Sequence, residues 1–301
     1  MNFNFVKFSA AYYVFSILLI IGSVFALFSY GLKFGIEFTG GSVMNVEFTS
    51  ERPTNESISS ALSEFNLGEV IIQPTGEKGM ILTLKGIDET THQNILTKIG
   101  ATSPLVEESF QFIGPSIGNE LKQKTQLAMI LALVAITIYI ALAFRKVSRP
   151  VSSWKYGITS LIALAHDIII PLGVFAVLGR LYSIEVTVPI IAALLTILGF
   201  SVHDTIVIFD RIRENILRRG MGSFKETVNW SLNQTIGRSI GTVFTTLLAL
   251  VSLFIFGGET LKYFSLTLII GITAGAYSSI FIASPLLVSW QNWGERKAKK
   301  S

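Results

Sequence analysis

The chain contains no cysteine, which excludes a disulfide framework, thiolate catalysis and cysteine-based zinc sites. Charge is scarce as well. Only 15% of its 301 residues are charged, against about 25% in soluble domains. With 50% hydrophobic residues and a mean hydropathy of +0.57, the composition is that of an integral membrane protein. No Gly-x-x-x-x-Gly-Lys-Ser/Thr run occurs, so ATP hydrolysis by this chain is not expected. Neither a cofactor nor a metal is expected, and nothing points to nucleic acid as a partner.

What the chain does have is long apolar runs. Six approach the roughly 17–25 residues needed to span a bilayer, at about 11–30, 125–144, 157–179, 187–209, 239–256 and 264–288. The first exceeds the 7–15 apolar residues typical of a signal peptide, and Ala26-Leu27-Phe28 lacks a small residue at the cleavage position. It reads as an uncleaved first helix. Arg145, Lys146, Arg149 and Lys155 fall between spans two and three, and Arg211, Arg213, Arg218, Arg219 and Lys225 between four and five. Arg296, Lys297, Lys299 and Lys300 follow span six, while the opposite loops carry only Arg180 and Lys262. The positive side is cytoplasmic by the charge rule, which predicts both termini inside a multi-pass cell (inner) membrane protein.

Residues 31–122 then lie outside. Between 31 and 120, twelve acids (Glu37, Glu47, Glu51, Glu56, Glu64, Glu69, Glu77, Asp88, Glu89, Glu107, Glu108, Glu120) face five bases (Lys33, Arg52, Lys78, Lys85, Lys98). Met44, Val46 and Phe48 alternate with polar residues as in a half-buried strand. Ile58, Leu62 and Phe65 predict an amphipathic helix over 55–66. Val70–Ile72 and Met80–Leu84 predict strands around a turn at 74–79, Asp88 can cap a helix carrying Ile95 and Ile99, and 105–113 alternates again. The order is β-α-β-β-α-β, a ferredoxin-like arrangement. His92 is expected on a solvated helix face. Gly40-Gly41 reads as a tight strand entry rather than a phosphate loop, because no helix follows directly.

Domains are therefore predicted as 1–30 (N-terminus and helix one), 31–122, 123–290 (helices two to six) and a basic tail over 291–301. An interfacial helix is expected at about 223–237, from Phe224, Val228 and Leu232 at helical spacing. Gly271, Gly275 and Ser279 form a small-residue stripe suited to close packing.

Two acids stand inside apolar spans. Asp204, preceded by His203, lies on span four about five residues from its cytoplasmic end, and Asp167, preceded by His166, near the middle of span three. A charged acid there costs a few kcal/mol by insertion scales, and such residues mark ion or proton pathways. Ser201, Asp204, Ile208 and Arg211 share one helix face; Gly199, His203 and Asp210 form another. Arg238 opens span five, either as a snorkelling boundary charge or as a partner for Asp204. Asp210, Arg211 and Arg213 form a cytoplasmic charge cluster. An intramembrane aspartyl protease using Asp167 and Asp204 would require Gly-x-Gly-Asp, which Phe200-Ser-Val-His-Asp204 replaces; an enzyme is not expected.

Several segments resemble the SecD/SecF family of the bacterial Sec translocase. Gly35-Ile-Glu-Phe-Thr-Gly-Gly41 is similar to its entry motif, and Gly114-Pro115 with Gly118-Asn-Glu-Leu121 to the lead into its second helix. Ala163-Leu-Ala-His-Asp167 resembles its third helix and Gly199 through Asn215 its fourth, while Phe256-Gly-Gly258 and Ala283-Ser-Pro285 fit the last two. The resemblance covers nearly the whole chain. It implies the SecF-type, six-helix half of an RND-superfamily transporter. It further implies a SecD heterodimer working with the SecYEG channel and YajC, which uses the proton-motive force to help an unfolded polypeptide across the membrane. The family's intramembrane carboxylate falls on Asp204 and its arginine on Arg238. His203 departs from the asparagine often found there. An RND-type small-molecule or lipid exporter, or a non-conducting translocon scaffold, are the alternatives.

Overall fold

The computed structural model describes residues 3–68, 70–144, 151–219 and 223–298. Arg145, Lys146, Arg149, Lys299 and Lys300, on which part of the expected orientation rests, and Glu69 of the acidic count lie outside the described residues. The chain divides into two units, a helical one (Met1–Gly31, Ala128–Val177, Pro189–Ser301) and a small α+β one (Leu32–Leu127, Leu178–Val188).

The small unit holds helix α2 (Ile36–Thr39), β1 (Gly41–Phe48), α3 (Asn55–Leu62), β2 (Ile71–Thr75), β3 (Gly79–Leu84), α4 (Glu89–Thr102) and β4 (Leu105–Ile113). The strands form one antiparallel sheet in the order β2-β3-β1-β4, the ferredoxin-like topology that the alternation predicts. Met44, Val46, Met80 and Leu82 point from the central strands onto Ile58, Leu62, Ile95 and Ile99 of α3 and α4, all buried. Thr54 caps α3 by accepting from the Ser57 amide, and Asp88 caps α4 by accepting from the Thr91 amide at 2.8 Å. The helix expected to reach residue 66 stops at Leu62, although Phe65 still packs on the core. Pro74 lies inside β2 rather than in a turn. An edge strand tolerates it because the missing N–H faces away from the ladder.

His92 corrects an expectation. It is only 4% exposed, with Nε2 2.7 Å from Glu107 Oε1 and its ring stacked on Phe110 at a centroid separation of 3.8 Å. A polar helix face misled the sequence reading because the acid that covers the histidine comes from β4, fifteen residues away.

Gly40-Gly41 is the tight entry expected. Gly40 sits at φ 75°, ψ 155°, a region essentially reserved for glycine. A Cβ there would lie 2.7 Å from Pro115 Cα, and one on Gly118 would lie 2.9 Å from the Gly40 amide nitrogen. Gly40 and Gly118 thus let the entry to β1 press against the start of the helix that follows β4. Gly40→Ala should cost about 2–3 kcal/mol, combining backbone strain of 1–3 kcal/mol with the clash. Thermal unfolding of the purified chain measures it, and a loss below about 0.5 kcal/mol contradicts this reading.

Among the described residues, six helical stretches are long and apolar enough to cross a membrane: Phe5–Tyr30, Pro115–Ala143, Ser153–Tyr182, Val188–Arg218, Phe224–Phe256 and Leu261–Gly294. Their helices are α1 (Ser9–Tyr30, entered by a 3₁₀ turn), α5 (Pro115–Ala143), α6 (Ser153–Tyr182), α7 (Val188–Arg219), α8 (Phe224–Phe256), α9 (Glu259–Ser278) and α10 (Ser284–Ala298). A π-helical segment, Ser279–Ala283, joins the last two. The expected interfacial helix over 223–237 is not a separate element. A capping box between Ser223 and Glu226 starts α8, which runs unbroken to Phe256. No glycine or proline stop separates the semi-polar half from the apolar half strongly enough to break it, and Gly237 alone does not.

In the helical unit Ile197, Leu198, Phe209, Tyr156 and Leu164 centre the core. Small residues set the closest approaches. A Cβ on Gly173 would meet Ser23 Cα at 2.5 Å, and one on Gly275 would meet Ser201 Cβ at 3.0 Å. The Gly271–Gly275 stripe packs on α7, as expected of such a stripe. Elsewhere the bundle leaves Phe15, Leu18, Ile21, Phe25, Ile130, Leu131, Phe244 and Leu248 exposed.

Candidate functional site

Among the described residues, the helical unit buries two carboxylates on neighbouring helices, each satisfied differently. Asp167 of α6 is 0% exposed. Its Oδ1 lies 2.9 Å from His166 Nδ1, and its Oδ2 accepts from Ser201 Oγ of α7 at 2.6 Å and from Ser278 Oγ of α9 at 2.8 Å. One acid therefore ties three helices together. The π segment sits at this junction, where Thr205 and Ser279 hydroxyls lie 2.8 Å apart; such segments often mark functional positions.

Asp204, 8% exposed, is three residues beyond Ser201 on the same helix. Its Oδ1 accepts from Ser239 Oγ of α8 at 2.6 Å. Its Oδ2 is buried with no hydrogen-bond partner among the described residues. Asp204 also lines a small cavity of about 20 Å³, together with Phe200, His203, Val207, Arg238, Thr242 and Val243. The space is about enough for one water.

The faces follow the sequence reading: Ser201, Asp204 and Ile208 are buried, whereas Gly199, His203 and Asp210 are exposed. Arg238 has two expected roles, a snorkelling boundary charge or a partner for Asp204. It lines the cavity with Asp204, yet the Asp204 carboxylate forms no ion pair with it among the described residues. Ser239, the next residue along α8, holds the acid instead. Sequence reasoning passed over Ser239, since a serine in a helix rich in Ser and Thr carries no signal of its own. The structure brings His203 and Arg238 to Asp204, and His166 to Asp167.

The charge cluster at the far end of α7 pairs within its own helix. Arg213 Nη2 lies 2.7 Å from Asp210 Oδ1, and Glu214 accepts from Arg211 and from Arg218. The link from there to α8 is made by buried Asn215, which donates to Ser231 Oγ and Gln234 Oε1 at 2.8 and 2.9 Å. No group of three or more metal-ligating side chains occurs among the described residues.

The sequence matches the family described as protein export membrane protein SecD/SecF, C-terminal, over residues 92–293, and the SecD/SecF GG motif over residues 25–51. The chain belongs to the SecD/SecF family. It is 42% identical to the protein translocase subunit SecF of Thermobaculum terrenum, over 95% of this chain and 93% of that protein. It is also 36% identical to the SecF of Rickettsia akari, over 97% and 92%. The crystal structure of SecDF, a translocon-associated membrane protein from Thermus thermophilus, superimposes with a TM-score of 0.86 at 32% identity. That match covers 97% of this chain and 39% of the SecDF chain. SecDF in a super-membrane-facing form gives a TM-score of 0.72 at 31% identity, over 100% and 40%. The fold is thus a six-helix SecD/SecF unit with a ferredoxin-like domain between helices one and two, in a multi-pass membrane protein that is a transport component. The GG motif spans Gly40 and Gly41, the glycines that fix the start of β1.

Proposed function

We propose that this SecD/SecF family member pairs with SecD as a heterodimer and couples proton movement to protein translocation, with Asp204 as the carboxylate that takes up and releases the proton. The observation carrying this reading is the half-satisfied state of Asp204. One oxygen is held by Ser239, the other is buried without a partner among the described residues, and Asp204 lines a cavity together with Arg238 and His203. A buried polar atom left unpaired is costly, and a proton or a water in that cavity would relieve it.

Protonation would remove the charge that Asp204 presents to Ser239 and Arg238, so the contact between α7 and α8 is the part free to shift. One charge moved across 100 mV contributes about 2.3 kcal/mol, enough to bias a two-state helix contact by some fiftyfold. Asp167 plays the complementary role. With three donors on its two oxygens it holds α6, α7 and α9 as the frame of the site, and His166 orients it. The cluster of Asp210, Arg211 and Arg213 closes the cytoplasmic end of α7. The complex would sit in the cell (inner) membrane with both termini cytoplasmic, and act with the SecYEG channel and YajC on the emerging unfolded polypeptide.

The test is proton flux in vesicles holding this chain with SecD, under an imposed potential, with wild type compared with Asp204→Asn. Flux that depends on Asp204 supports the reading. Equal flux in both, or none in either, leaves a scaffold role.

A further inference from the structure

The chain between α6 and α7, residues 183–187, belongs to the small α+β unit, and the way it is fastened there is unusual. Val186 donates its amide to the Lys33 carbonyl, at 2.6 Å, and accepts from the Gly35 amide at 3.0 Å, a short parallel bridge. Gln73 of β2 donates to the Ser183 carbonyl at 2.6 Å, and Lys33 Nζ donates to Ser183 Oγ at 3.2 Å. Ser183 is the one non-glycine residue with positive φ among the described residues, at 55°. Such a conformation costs about 1–3 kcal/mol and persists only where its surroundings impose it. Four hydrogen bonds thus hold a strained strap.

At the centre of the strap stands an acid that opposes this docking. Glu185 lines a groove of about 370 Å³ with Phe34, Ile36, Leu67, Ile71 and Leu84, and Lys85 enters from the end of β3. Glu37 and Lys33 face it from the segment that the strap pairs with. Lys122 of α5 lies over the Phe34 ring at 5.3 Å. Desolvation in this groove is the main cause that pushes the Glu185 carboxyl up from 4.5 to about 7; the Glu37 charge adds to it and Lys33 partly offsets it.

We propose that the 183–187 strap is a proton-controlled latch on the four-stranded domain, docked when Glu185 is neutral and loosened when Glu185 ionises beside Glu37. The device is separate from the Asp204 site and does not depend on it.

The sign follows from linkage. The docked strap holds the proton more tightly than the free strap, so docking is strongest below the free value of 4.5 and weakens as pH rises towards about 7. Above that, both states are ionised and the weakening levels off, at about two to three orders of magnitude in the docking equilibrium.

Hydrogen–deuterium exchange of the full chain in lipid nanodiscs, read at the Val186 and Gly35 amides and corrected for intrinsic rates, tests the latch. Protection at both amides should fall at least about tenfold from pH 5 to pH 8, while the β1–β3 ladder keeps its protection. Glu185→Gln should hold the strap equally at both pH values, and Glu37→Gln should show a smaller pH response than wild type. Unchanged wild-type protection, an undiminished pH response in Glu185→Gln, or a parallel loss in the β1–β3 ladder would each overturn the proposal. If Glu185→Gln does not fold, the Glu37→Gln comparison decides, and a response equal to wild type sinks it.

Discussion

Asp204→Asn is expected to reduce potential-driven proton flux in SecD-containing vesicles to the level of vesicles without this chain, while the protein unfolds at nearly the wild-type temperature. The two halves of that expectation have different causes. Asparagine is isosteric with aspartate, and its Oδ1 can still accept from Ser239 Oγ, which is 2.6 Å from the acid. The atom that changes is Oδ2, which has no partner among the described residues, so the substitution removes no hydrogen bond. Its effect on stability should stay within about 1 kcal/mol. What it removes is the ability to exchange a proton. Ser239→Ala is the informative contrast. It takes away a hydrogen bond to a charged group, worth about 1.5–3 kcal/mol, and leaves both carboxylate oxygens unpaired; its unfolding temperature should drop where that of Asp204→Asn does not. Arg238→Ala should lower flux with little loss of stability, because Arg238 lines the same cavity without bonding to the acid. Flux in Asp204→Asn equal to wild type would remove Asp204 from the coupling mechanism.

Much of this could be read from the chain because apolar pattern and backbone chemistry are local. The six spans, the positions of the strands along the chain and the cap at Asp88 are set by residues within a few positions of one another. The two intramembrane acids announce themselves by cost alone. At the polar clusters, what the sequence did not show is a partner from far along the chain. Asp204 is held by Ser239, 35 residues away; Asp167 by Ser278, 111 away; His92 by Glu107, 15 away. Serine and threonine are frequent in these helices, and most bond back to a carbonyl one turn earlier. Nothing in their spacing marks the few that turn outward to a carboxylate. The unbroken α8 escaped for a related reason. A change from semi-polar to apolar composition reads as a boundary, but composition does not stop a helix that lacks a breaker.

Asp167→Ala should be the most destabilising substitution in the helical unit, and Asp167→Asn should separate that effect from proton coupling. Asp167 is fully buried and accepts from Ser201, Ser278 and His166. Alanine would orphan all three donors, at about 1–3 kcal/mol each, so the total should exceed the 0.5–3 kcal/mol of ordinary mutations. The variant should accumulate poorly or unfold at least about 10 °C below wild type, at roughly 2–4 °C per kcal/mol for a chain of this size. Asparagine keeps one accepting oxygen, and the serine hydroxyls can rotate to accept from its amide, so it should lose only about 1–2 kcal/mol. Because Asp167 has no unpaired oxygen and does not line the cavity beside Asp204, Asp167→Asn should keep more than half of the wild-type flux per folded molecule. Adding His166→Leu to Asp167→Ala should recover part of the stability, since replacing both members of a buried polar pair by apolar groups costs less than breaking it from one side. Thermal unfolding and vesicle flux on the same preparations decide the matter. A stable Asp167→Ala would show that the cluster does not hold the bundle. A folded Asp167→Asn with no flux would move Asp167 from the frame onto the proton route.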